Sequence, residues 1–103
     1  MTERIVEMPS RDEMRLTDVL DALSDPIRLR VVAEIATGVE CTCGQFALPV
    51  SDSTRSHHMR VLREAGLTST RAVGTQRLVS LRRDDLDAVF PGLLDAVLAA
   101  APA

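Results

Sequence analysis

The sequence predicts a mainly α-helical fold with one small β-hairpin. Three observations carry this. Apolar residues recur at helical spacing in four separate segments, Gly74-Thr75 sits between two β-prone runs, and an apolar share of 46% suffices for one core. A chain of 103 residues is one domain's worth. Its only aromatic residues are Phe46 and Phe90, so the core is expected to be Leu, Val, Ile and Ala, with Met8, Met14 and Met59 as fillers.

Residues 1–11 are polar and contain Pro9, which predicts a flexible N-terminal arm. Residues 12–101 are expected to form a single domain. Its first helix, within 12–24, places Leu16, Val19, Leu20 and Leu23 on one face. Asp25-Pro26 stops it and starts the next: Asp25 caps, and Pro26 suits the first helical position. Ile27, Val31 and Ile35 mark a buried second helix over 26–37, ended by Gly38. Cys41 to Leu48 reads as a short third helix, stopped by Pro49. Ser51 and Asp52 cap a fourth over 52–65, with Met59, Leu62 and Ala65 inward and Gly66 closing it. Leu67 to Val73 and Gln76 to Leu81 form the hairpin. A last helical segment starts near Arg82-Arg83-Asp84-Asp85, and Pro91 kinks or splits it.

Charge is distributed unevenly. Every basic residue is Arg, and the net charge is −3. Residues 53–83 nevertheless hold seven Arg and one acid, Glu64, while the segments on either side are acidic. A concentrated Arg block on an acidic chain is an electrostatic footprint for a polyanion.

A short helix, a turn, a capped helix and then a hairpin is the layout of a winged helix-turn-helix. An α-helix fits the DNA major groove, and its first turns face the base edges. The run Leu48-Pro-Val-Ser-Asp-Ser-Thr-Arg-Ser-His-His-Met-Arg-Val-Leu-Arg-Glu-Ala-Gly-Leu67 resembles the recognition helix of the ArsR (SmtB-like) repressors. Ala22-Leu-Ser-Asp-Pro-Ile-Arg-Leu-Arg30 resembles that family's second-helix opening, and Val73-Gly-Thr-Gln-Arg77 its wing. The resemblance spans roughly residues 16–99. It implies a dimeric, sequence-specific regulator of transcription, usually a repressor released by an effector, whose partner is a double-stranded DNA operator. Ser53, Thr54, Arg55, Ser56, His57 and Arg60 are the candidate DNA-binding residues of the helix. Arg71, Thr75, Gln76 and Arg77 are those of the wing. Arg55, four residues before Met59, is expected to be half-buried. His57 and His58 point about 100° apart on a helix, so they are not read as ligands of one metal.

The apolar residues of the last segment exceed what one small core needs. Leu16, Leu20, Leu23, Leu86, Phe90, Leu93, Leu94 and Val97 are therefore the expected homodimer interface. Cys41-Thr-Cys43 leaves three readings open: packing residues, a thiolate site for a thiophilic metal or metalloid, or a redox switch. The family's sensing sites use Cys-x-Cys, but Phe46 stands where the arsenic-sensing form has a third Cys. No phosphate loop, nucleophile elbow or metallohydrolase spacing supports an enzyme. Met1-Thr-Glu-Arg-Ile lacks the layout of a signal peptide, no run approaches ~18 apolar residues, and free thiols predict a cytoplasmic protein. The competing reading is a winged-helix module that binds an acidic protein surface instead of DNA.

Overall fold

The computed structural model describes residues 3–38, 40–42 and 49–101. Helix α1 (Leu16–Leu23) packs on α2 (Pro26–Ala36) and α3 (Asp52–Ala65), those two pack on a four-stranded antiparallel sheet, and α4 (Arg83–Val89) and α5 (Leu93–Ala100) complete the chain. The strands are β1 (Glu3–Ile5), β2 (Cys41–Thr42), β3 (Thr68–Val73) and β4 (Gln76–Leu81), ordered β1-β3-β4-β2.

Local chemistry sets the helix ends. The Asp25 carboxylate accepts from the Ile27 and Arg28 N–H groups at 2.8 and 3.1 Å, with Pro26 opening α2. Ser51 caps α3 by accepting from the Thr54 N–H. Gly66 ends α3 at φ 95°, a left-handed conformation that glycine adopts without penalty. A Cβ there would also lie 2.9 Å from Met14 Cγ. Pro91 and Gly92, the latter at φ 82°, separate α4 from α5, so the predicted split is observed.

The core is aliphatic. Val19, Val31, Val32, Ile35, Leu62, Leu67, Val79 and Leu86 are fully enclosed, with Met14 and Met59 filling among them.

Three expectations need correction. Within the expected arm, residues 3–11 are not loose: Glu3–Ile5 pair with Arg71–Val73, and the Val6 N–H donates to the Thr70 carbonyl. Arg82 donates to the Pro9 carbonyl, and Arg11 pairs with Asp85. Val6 is buried, which gives the segment an apolar anchor. Second, Cys41 and Thr42 form strand β2, opposite Val79 and Leu78, rather than the start of a helix. Two half-buried residues completing the β4 ladder satisfy backbone groups that a helix would have to cap. Residues 43–48, the rest of that expected helix, lie outside the described residues. Third, Leu23, Leu86 and Leu94 of the expected dimer interface are buried inside the protomer. They supply the core's own contacts, so they are not free for a partner. Leu16 and Leu20 are each 46% exposed, while Phe90, Leu93 and Val97 are half-buried.

Candidate nucleic-acid interface

Helix α3 is two-faced. His58, Met59, Leu62 and Ala65 are buried, while Ser53, Thr54, Ser56, His57 and Arg60 are exposed. Arg55 is half-buried, as its spacing from Met59 predicts, and reaches Asp52 at 3.1 Å. The Arg60 guanidinium donates to His57 Nδ1 at 3.3 Å, and its nearest carboxylate, Glu64, stands at 3.8 Å. Such exposed pairs contribute little and exchange readily for a phosphate.

The buried histidine fixes the angle at which α3 is presented. Arg28 of α2 donates to His58 Nδ1 at 3.2 Å and to the Ala22 carbonyl at 2.7 Å. A guanidinium has donors and no acceptor, so Nδ1 is assigned as the acceptor and the ring proton to Nε2. One side chain thereby ties the end of α1 to α2 and to α3. Burial alone would push the Asp25 carboxyl up, but the hydrogen bonds from the Arg28 and Ile27 N–H groups lead the effects that outweigh it and hold it below the usual range. Adjacent His57 points elsewhere, its ring centroid 5.9 Å from that of His58.

The wing splits the two candidate arginines. Arg77 is in register with Ala72, whereas Arg71 is in register with Leu78, so pleating puts them on opposite faces of the sheet. Arg71 is held by Glu40 at 2.7 Å and Glu3 at 3.2 Å, a clamp that links the start of β1, β3 and the residue before β2. The Glu40 hydrogen bond, with Glu3, raises the already high Arg71 pKa. Arg71 thus stands on the opposite sheet face from Arg77, paired with two carboxylates. Thr75, Gln76 and Arg77 are exposed around the turn. On the Arg77 side, a cleft of about 410 Å³ opens between α3 and the hairpin. Arg63 lines it too, a residue that the sequence pattern did not single out. Its four-residue spacing from Met59 puts it on the face that turns toward the sheet, the signal that could have found it.

Cys41 is a free, half-buried thiol that packs against the core edge opposite Val79. Cys43 lies outside the described residues. Among the described residues no three His, Cys, Asp or Glu side chains group together to hold a metal ion. No described helix is long and apolar enough to cross a membrane.

Comparison with known proteins agrees with this geometry. Residues 23–71 match a helix-turn-helix domain family. The chain is 34% identical over 93 residues to the uncharacterized HTH-type transcriptional regulator YceK of Bacillus subtilis, covering 87% of this chain and 93% of that protein. It is 34% identical over 83 residues to the arsenical resistance operon repressor of Staphylococcus xylosus, covering 76% of each. A crystal structure titled as a possible transcriptional regulator for arsenical resistance superposes with a TM-score of 0.61 at 34% identity, over 84% of this chain and 98% of that one. An ArsR family regulator shares the fold, with a TM-score of 0.66 at 24% identity over 82% and 88% of the two chains.

A winged helix with an exposed polar recognition face and relatives of this kind is a DNA-binding transcriptional regulator. Within that class, the chain belongs to the ArsR (SmtB-like) family.

Proposed function

We propose that the protein acts as a dimeric repressor that an effector releases from its operator. The observation that carries the reading is the division of α3: its buried face is locked through His58, and its outer face offers Ser53, Thr54, Ser56, His57 and Arg60 to a groove. Arg55 supports the helix start, and Thr75, Gln76 and Arg77 of the hairpin reach the flanking backbone or minor groove. The name of the Staphylococcus xylosus relative supports repression rather than activation. Leu16 and Leu20, exposed on α1, support a two-fold interface completed by the half-buried Phe90, Leu93 and Val97. A dimer sets two α3 helices for half-sites about one DNA turn apart.

Fluorescence anisotropy with duplex DNA at several salt concentrations tests this. Affinity should fall steeply with salt, about 0.9 logarithmic units per neutralised phosphate. Arg60→Ala should weaken binding and flatten that dependence. Salt-independent binding, or binding to an acidic protein surface without DNA affinity, would favour an interaction module.

A further inference from the structure

The cleft between α3 and the hairpin is walled by Arg55, Arg60 and Arg63 from the helix and by Arg77 from β4, with Ser56 and Thr70 between them. Among the described residues no carboxylate lines it. Arg55 has its own partner in Asp52, and Arg60 a distant one in Glu64. Arg63 and Arg77 have no ion pair among the described residues, and the Arg63 Nε is buried without a hydrogen-bond acceptor. Four like charges around one opening repel each other, and a buried guanidinium donor left unmatched is costly. Both costs disappear when an oxyanion enters, because charge-assisted N–H bonds to phosphate oxygens are strong.

We propose that this cleft is a binding site for one phosphate, held jointly by Arg63 and Arg77, and that the phosphate belongs to the DNA backbone. The proposal rests on the DNA-binding reading above. It adds that a single phosphate bridges helix and wing, fixing their spacing on the duplex.

The test uses a mixed-sequence duplex and the full chain, with Arg63→Gln, Arg77→Gln and the double variant. Each single variant should bind DNA about tenfold more weakly, the effect of losing a hydrogen bond to a charged group. Because the slope of log affinity against log salt counts phosphates, the double variant should flatten it by about 0.9, one phosphate. A change of about 1.8 means two separate phosphates and overturns the shared site. Wild-type affinity in the variants overturns the site altogether. A wild-type protein without salt-dependent DNA binding overturns the DNA reading itself. Calorimetric titration with inorganic phosphate separates the sources: no sub-millimolar binding supports the backbone, whereas such binding lost in the double variant reassigns the cleft to a free anion. If Arg63→Gln fails to fold, by circular dichroism, the exposed Arg77→Gln decides alone: a tenfold loss supports the site, and none overturns it.

Discussion

Replacing Arg28 by Met keeps the aliphatic stem and removes the guanidinium that joins α1, α2 and α3. Three hydrogen bonds go: to the Ala22 carbonyl at 2.7 Å, to His58 Nδ1 at 3.2 Å, and a long one to the Asp21 carbonyl at 3.4 Å. The main cost is the buried acceptor left behind, because His58 is only 7% exposed. An orphaned buried group costs about 1–3 kcal/mol, and a net hydrogen bond about 1 kcal/mol. A loss near 2–3 kcal/mol follows, which lowers Tm by about 10–20 °C in a domain of this size. His58→Leu alone removes the acceptor and should cost under about 1 kcal/mol. In the double variant His58 Nδ1 is no longer left as an orphaned acceptor, so the loss should be smaller than for Arg28→Met alone. Urea unfolding at one fixed protein concentration measures the cycle, because the proposed self-association would make apparent stability concentration-dependent. Additivity of the two substitutions within about 0.5 kcal/mol would refute the contact as the link between α2 and α3.

Gly66→Ala should destabilise by about 1–3 kcal/mol from the left-handed backbone alone, with further loss as Met14 moves aside; an unchanged urea midpoint contradicts this. Leu20→Asp should yield folded monomers by light scattering, whereas Leu94→Asp, inside the core, should yield unfolded protein; a dimeric Leu20→Asp protein argues against α1 at the interface. The Asp85 carboxyl lies below its usual range because the Arg11 and, after burial's opposing push, Arg82 guanidinium groups hold it, and Asp25 is also lowered. Lowered carboxyls contribute stability that is complete above the ordinary Asp range and lost as pH falls through their folded values. Asp25→Asn, which still caps, should therefore flatten the acid limb of a stability–pH profile; an unaltered limb counts against the role.

Helices α2 and α3 were legible because each carries its own punctuation: Asp25-Pro26, Ser51 and Gly66 stand at the ends they predict. The half-buried Arg55 followed from its four-residue spacing to Met59. What the sequence hid is what depends on distant partners. Ile5-Val6 is too short a run to announce a strand, and β1 exists because β3 offers it an edge and Arg71 offers Glu3 a charge. Arg71 looked free until Glu40, 31 positions away, met it. The apolar excess of the last segment does not sort core from interface, because hydrophobicity does not say which side of a helix a core will claim. Leu86 and Leu94 turned inward.

Strand β1 has a practical corollary for handling the protein. It shields one side of β3, and the boundary it presents instead is three residues long and carries Glu3 and Arg4. Short, charged borders of this kind discourage strand-to-strand stacking between molecules. Trimming residues 3–5 would uncover the unpaired N–H and C=O groups of Arg71–Val73 and release Arg71 from one of its carboxylates, inviting precipitation. The chain enters β1 opposite Val73, next to the Gly74-Thr75 turn. A purification tag fused upstream would therefore emerge beside the wing.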